Sequence, residues 1–396
     1  MRNKAFLFVV LLATLLVFSA ATSAEEEKDD KKDPSAAYEF TVEVEVDRTP
    51  VKNQYRTGTC WCFATISFLE SELLRTGKGE FDLSEMFVVR NTYPHKADNF
   101  IRLHGTANFS QGGQAHDVMN CVRRYGLVPE SAYSGMEIEE SRHNHGEMVS
   151  VLTAMMDAVL KRKGKRVTPR WSDALEAVLD VYLGRQLEVF TLDGEEYTPK
   201  RFNEEVLELD PDDYVELTSY SHYEFYTQCR LEIPDNWDYN GEYYNLPIDD
   251  LERIIEHALE NGHSVVWDGD VSEEEFSSKE LGYAVVPEIA WEDRLHEEQE
   301  LEDVFTGPVK EKAITQEDRQ KTLDNFTTTD DHLMHIVGLA RDQEGTRFYL
   351  TKNSGGIDRK NDGYMYMSQA FVRLKTTAIL VNKAAIPEDI TSKLGF

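Results

Sequence analysis

Hydrophobic positions along this chain switch between two periods, and the switches outline its elements. Phe63, Ile66, Leu69, Leu73 and Leu74 recur at helical spacing, and Gly77 and Gly79 end the run. The spacing predicts a helix that begins near Cys60. A second helix is predicted over Gln114–Tyr125, with Val118, Met119, Val122 and Tyr125 on one face and Gly126 at its end. Val151–Leu160 and Trp171–Leu183 read as amphipathic helices. Leu251, Ile254, Ile255, Ala258 and Leu259 form another helical stripe, capped by Asp249-Asp250 and closed at Gly262. Alternation takes over elsewhere. Phe40, Val42, Val44 and Val46 mark a strand within Tyr38–Val46, and Val265-Val266-Trp267 reads as a buried strand. The end of the chain is strand-rich, over His335–Ala340, Arg347–Lys352, Gly363–Met367 and Thr376–Val381.

Composition sharpens this picture at the N-terminus and on the surface. Residues 1–24 read as a secretory signal peptide: Arg2 and Lys4 carry charge, Ala5 to Phe18 is apolar, and Thr22-Ser23-Ala24 is a small-residue cleavage site. The apolar run is short for a membrane span, so no stable membrane association is expected after cleavage. Residues 25–37 are a charged tether. The expected compartment is secreted or periplasmic. A formal charge of −31 over 396 residues argues against nucleic acid as a partner. Four cysteines make no disulfide scaffold. Cys60 and Cys62 point about 200° apart on a helix, so Cys62 faces the core. Cys121 and Cys229 are left as a pair that an oxidising compartment would allow to bridge. Residues 272–304 are heavily acidic and read as a surface excursion, whereas Lys161–Arg166 is a basic island. The island reads as a solvated loop or as a self-association contact.

Cys60 stands at the predicted start of a helix, where unpaired backbone N–H groups and the macrodipole favour thiolate over thiol. A lone cysteine there is ordinarily a small buried hydrophobe. Its company raises its interest: Gln54 stands six residues before it, and Trp61 and Phe63 follow. A thiolate nucleophile needs a base, and the base an orienting partner. His332 precedes Leu333-Met334 and the run His335-Ile336-Val337-Gly338-Leu339. Asn353 follows the strand Arg347–Lys352, and a β-ladder would set it beside His332. A metal site built from His332 and His335 is the competing reading, and it lacks a third ligand at convincing spacing.

The stretch Gln54–Ala64 resembles the nucleophile segment of papain-like cysteine peptidases. Thr57 stands where papain proper has a disulfide cysteine. That departure, with Asp82-Leu83-Ser84-Glu85, Ser110-Gln111-Gly112-Gly113 and Pro247-Ile248-Asp249-Asp250-Leu251, is similar to the bleomycin hydrolase/aminopeptidase C branch. The resemblance implies an α+β, two-lobed papain-like fold, with a helical lobe, an antiparallel β-barrel-like lobe and a helical insertion. It places a helical lobe over 38–140, the insertion over 141–230 and a β-rich lobe over 231–396.

The same resemblance implies a Cys60–His332–Asn353 triad, with Gln54 and the Cys60 backbone N–H stabilising the oxyanion. Gly112, Gly113 and Trp61 would contact a peptide substrate, and neither metal nor organic cofactor is required. The papain-type gap between nucleophile and histidine is about 130–150 residues, and here the insertion and the acidic excursion lengthen it. Gly355 stands where the family pattern Asn-Ser-Trp-Gly has tryptophan, which exposes the Asn–His bond to water. Relatives of this branch assemble as hexamers, so a homo-oligomer is implied. Their C-terminal arm grips the substrate's free amino group. Here the chain stops at Phe396, which predicts an open cleft and an endopeptidase or broad peptidase. The alternative is a papain-fold binding protein with weak or no turnover.

Overall fold

The computed structural model describes residues 38–138, 140–164, 166–273, 276–288 and 307–396. The expected leader over 1–24, the tether over 25–37, Lys165 of the basic island and residues 274–275 and 289–304 of the acidic excursion lie outside the described residues.

Strand β1 (Thr41–Glu45) leads into helix α1 (Cys60–Arg75). Helix α1 is buried on almost every side, which is why its apolar residues exceed a single stripe. Helix α2 (Glu85–Arg102) starts at Ser84, whose hydroxyl accepts the Phe87 N–H at 3.0 Å. Helix α3 (Ala115–Tyr125) starts where Asp117 accepts the Gln114 N–H at 2.9 Å. The two amphipathic helices follow as α4 (Gly146–Leu160) and α5 (Arg170–Leu183). Met148, Leu152 and Met156 of α4 join Leu175, Leu179 and Leu183 of α5 in the same core as α1–α3. Arg90 of α2 reaches Glu176 at 2.7 Å and Asp180 at 2.6 Å on α5.

The stretch expected as a helical insertion over 141–230 departs from that reading after α5. It forms a hairpin of β2 (Phe190–Leu192) and β3 (Glu195–Tyr197), the short helix α6 (Pro199–Phe202), then β4 (Tyr214–Thr218) and β5 (Thr227–Cys229). Strand β4 belongs to the main sheet and pairs with the C-terminal strand, so these residues complete the β lobe. β4 is buried on both faces and too short to show a period, which hid it in the sequence.

The main sheet continues with β6 (Tyr243–Asn245), β7 (Val265–Gly269), β8 (Phe276–Ser277), β9 (Tyr283–Ala284), β10 (His332–Arg341), β11 (Arg347–Lys352), β12 (Tyr364–Ser368) and β13 (Thr376–Asn382). Its order is β5-β6-β4-β13-β7-β10-β11-β12-β9-β8, and β1 adds to the far half of β10. Neighbours are mostly antiparallel; β4–β6 and β9–β12 are parallel. Helix α7 (Ile248–Glu260) is the predicted stripe, although Pro247 precedes it and Asp249-Asp250 lie in its first turn, not at its cap.

Alternation divides the sheet between two cores. Val266, Leu333 and Leu380 face α1, and Val265, Trp267, Met334, Ile336 and Ile379 pack with Leu251, Ile254 and Ile255 of α7. The arrangement is the α+β papain-like fold. Because α4 and α5 share the core of α1, Leu179→Ala is expected to destabilise the whole protein by about 2–5 kcal/mol. Urea unfolding of the variant should remain one transition. An early separate transition of α4–α5 would contradict the shared core.

Candidate active site

Two loops from opposite ends of the chain are stitched together before either reaches the sulfur. Gln54 N–H donates to Ser354 O at 2.9 Å, Gly356 N–H to Lys52 O at 3.2 Å, and Asn53 bridges Gly355. Gly356 has φ +84°, and a side chain there would collide with Asn53, so the approach requires glycine. Lys52 anchors the first loop through Asp82 at 2.6 Å and Glu85 at 2.9 Å.

Cys60 is the first residue of α1, so its backbone N–H has no partner within the helix. The residue is 8 % exposed. Burial pushes its thiol up to about 12, and Asp268, Asp235 and Asp330 push the same way. The Leu333 backbone N–H, one residue beyond His332, lies against the sulfur and opposes that rise. The expectation of a thiolate at a helix start is therefore corrected. Burial and three carboxyl groups outweigh the helix N-terminus.

His332 opens β10 and is half-buried. Its Nε2 lies 2.9 Å from Asn353 Oδ1, and the same oxygen accepts the Ser354 N–H at 2.7 Å. An oxygen that takes a backbone N–H must be the amide's acceptor end. His332 thus carries its proton on Nε2, which leaves the Nδ1 lone pair free to act as a base. Burial lowers the imidazole's pKa, and the Asn353 bond only partly offsets that. Ser354 also donates its hydroxyl to Gln54 Oε1, and Gln54 Nε2 donates to Thr57 O at 2.6 Å. One Nε2 hydrogen of Gln54 remains for another acceptor.

A model of the peptidase C1-like family matches residues 190–395, and one of papain family cysteine proteases matches residues 40–172. The chain belongs to the peptidase C1-like family. This peptidase is 24 % identical to aminopeptidase W of Lactobacillus delbrueckii subsp. lactis, over 89 % of its own length and 85 % of the relative's. Aminopeptidase G of the same organism is 22 % identical over 88 % and 84 %. Among solved structures, PepW from Lactobacillus rhamnosis HN001 superposes with a TM-score of 0.67 at 19 % identity, covering 90 % of this chain and 84 % of that one. The protein is a cysteine-type peptidase of the papain-like, aminopeptidase C/bleomycin hydrolase branch.

The remaining expected residues fall in varied places. Trp61 is 1 % exposed, and its indole N–H donates to Gln111 O at 3.0 Å, so it holds the Gln111–Gly113 ribbon from beneath. Gly113 is buried between Trp61 and Asp117. Gly112 is half-buried, and the Asp235 carboxylate rests where any side chain on Gly112 would stand. The expected open cleft is corrected here, because the segment from Pro234 to Asp238 covers this ribbon. His335 lies in the core, 0 % exposed, with Nδ1 2.9 Å from Ser67 Oγ. Three residues apart on a strand, His332 and His335 face opposite sides and share no metal. All four cysteines are buried and free, Cys121 and Cys229 included.

Gly355 opens a cavity of about 600 Å³ beside His332, Asn353 and Gln54. The Arg359 side chain lies over Gly355, its Nε 3.3 Å from where a Cβ would sit, so a cation stands over the position that the family fills with an indole.

Sequence reasoning missed Asp235, Asp268 and Asp330. Asp330, two residues before His332, was the detectable one. Asp235 gives no local signal, because Gly112 meets it only through the tertiary fold.

Alkylation of Cys60 by iodoacetamide, with the residue identified by mass spectrometry, reads the thiol directly. Below a pKa of about 12 the thiolate fraction rises about tenfold per pH unit. The rate should therefore climb from pH 6 to 9 without a plateau. Asp330 itself is pushed up to about 7 by burial and Asp235, so Asp330→Asn removes a negative neighbour above that pH, lowers the thiol pKa there and raises the rate chiefly between pH 7 and 9. A plateau already reached near pH 6 would contradict this account.

Proposed function

We propose that this protein is a secreted or periplasmic cysteine aminopeptidase that cleaves peptides by acyl transfer through Cys60, His332 and Asn353. The observation that carries the reading is the His332 Nε2–Asn353 Oδ1 bond of 2.9 Å, with the Cys60 sulfur against the N–H of the next residue. The names of the relatives, aminopeptidases W and G, support the exopeptidase assignment.

His332 takes the Cys60 proton on Nδ1 as the sulfur attacks the peptide carbonyl. The carbonyl oxygen becomes an oxyanion, held by the Cys60 backbone N–H and the free Nε2 hydrogen of Gln54. Collapse of the tetrahedral adduct breaks the C–N bond, and His332 gives its proton to the leaving amine. Water, deprotonated by His332, then attacks the thioester and releases the acid and the thiol. Asn353 holds the imidazole through Nε2 in every step, which keeps Nδ1 on the reacting side. A neutral thiol and a neutral imidazole are the starting pair, so the proton moves only once a substrate is in place. No step calls for a metal or an organic cofactor.

The second reading, a papain-fold protein that binds peptides without turnover, is favoured by the raised Cys60 pKa and by the cavity at Gly355. An epoxysuccinyl probe separates the two. Labelling should occur at Cys60 and vanish in His332→Ala. Gln54→Ala should lower kcat by ~10²–10³ with little change in KM. Labelling that survives in His332→Ala would favour the binding protein. Export is tested by expressing the full chain in a bacterial host. Mature protein should appear outside the cytoplasm with an N-terminus near Glu25, and full-length protein retained in the cytosol would refute export.

A further inference from the structure

Three carboxyl groups from three separate parts of the chain act on the Cys60 thiol. Asp235 lies on the Gly112 ribbon, where its Oδ1 accepts from Asn108 at 2.8 Å and from Ser110 at 3.3 Å. Its backbone N–H donates to Asp330 Oδ2 at 3.2 Å, and Gln114 Nε2 also reaches Asp330 at 3.2 Å. Asp268 of β7 stands opposite Leu333 in the ladder, so it flanks the residue that touches the sulfur. It is 2 % exposed. Asp268 Oδ2 accepts from Thr377 at 2.5 Å, and its buried Oδ1 accepts nothing. The Asp268 side chain also bonds that of Asp330, a carboxyl–carboxyl contact that holds only while one of the two keeps a proton.

Lys96 offsets part of the Asp235 charge, but its own N–H donors are already engaged. Lys96 is the nearby ammonium, and it donates to Ser110 O and Gly112 O while lying 5.9 Å from the Trp61 ring centre and 5.7 Å from that of Trp237. The cover is also firmly built. Trp237 Nε1 donates to Asp117 at 2.9 Å, and Asp238 lies 3.1 Å from His116 Nε2, whose ring bonds Glu216 at 2.8 Å on its other nitrogen. The segment from Pro234 to Asp238 is thus clamped to α3, with Asp235 seated on Gly112.

We propose that Asp235, Asp330 and Asp268 form the pocket for the free α-amino group of the substrate, with the Pro234–Asp238 segment as the wall that stops the chain there. The proposal rests on Cys60 being the nucleophile. An α-ammonium lies two bonds from the carbonyl that the sulfur attacks, so its pocket must adjoin the sulfur, as this one does. It carries one positive charge and three N–H donors, which match three carboxyl groups and one unfilled acceptor. An acylated N-terminus has lost both the charge and the donors. The arriving ammonium displaces the proton shared by Asp268 and Asp330 and offsets the field that holds Cys60 as a thiol. A free amine would in this way help to ionise the nucleophile that cleaves its own peptide bond.

Two measurements on the full protein separate this proposal from the reading beneath it. The first is turnover of alanyl-aminomethylcoumarin, its N-acetyl form and N-acetyl-lysyl-alanyl-aminomethylcoumarin. The free amine should be cleaved at least tenfold better in kcat/KM than either acetylated substrate. Asp235→Asn and Asp330→Asn should each raise its KM about 10–100-fold, the scale of one charge-assisted bond, whereas the KM of the acetylated substrates should not rise. The second is calorimetry on Cys60→Ala protein, which cannot turn over. Trialanine should bind, release protons and lose affinity in Asp330→Asn, and N-acetyl-trialanine should not bind. Circular dichroism confirms that each variant is folded. Turnover without preference for the free amine overturns the pocket and leaves the peptidase standing. Amine-selective binding with no turnover in the wild type keeps the pocket and overturns the peptidase reading. Better cleavage of the lysyl substrate than of the free amine reassigns the carboxyl groups to a side-chain ammonium and overturns the proposal.

Discussion

The site exists because helix α1 lies across strand β10. The two come from opposite ends of the chain, and their contact is made of residues with no chemistry of their own. Leu333, Val266 and Leu380 present one face of the sheet to the apolar side of α1. Ser67 of the helix meets His335 of the strand at 2.9 Å, and Lys352 on the neighbouring strand donates to the same hydroxyl at 2.7 Å. Asn382 of β13 donates to Glu72 at 2.8 Å further along the helix. With that register set, the first turn of α1 puts its sulfur beside the second residue of the strand. Leu333 therefore meets Cys60 as a result of core packing, with His332 one residue before it.

The two stitched loops add precision to that placement. Asn53 and Gln54 bridge Ser354 and Gly355, so the residue that would bind the oxyanion and the one that orients the imidazole move as one body. The chain of bonds from Thr57 through Gln54, Ser354 and Asn353 to His332 is continuous. A disturbance anywhere along it would rotate the imidazole, which is why such networks are more sensitive than their separate bonds suggest.

Much of this was legible in the sequence because it is local. The α1 stripe, the α3 stripe, the paired helices α4 and α5 and the C-terminal strands each declare themselves within about fifteen residues. Cys60, Gln54, His332 and Asn353 stood out for their neighbours along the chain. The Pro234–Asp238 cover did not, since its segment shows no period and contains ordinary turn residues. Its role appears only when Asp235 is seen against Gly112, more than a hundred positions earlier. The ionisation of Cys60 was misread for a related reason. A helix start is visible in sequence, whereas burial and three carboxyl groups drawn from 235, 268 and 330 are not. β4 was hidden inside the insertion because five residues buried on both faces carry no signature of a strand.

A sulfur kept protonated has a consequence beyond the reaction itself. Thiolates attack peroxides and disulfides far faster than thiols do, so oxidation to sulfenic acid or to a mixed disulfide begins with the ionised form. Outside a reducing cytoplasm, a cysteine poised as a thiolate at all times would be steadily lost. Cys60, shielded by burial and by the carboxyl groups around it, would idle in a form that such oxidants leave alone. The acidity lining this cleft then acts as a preservative between turnovers.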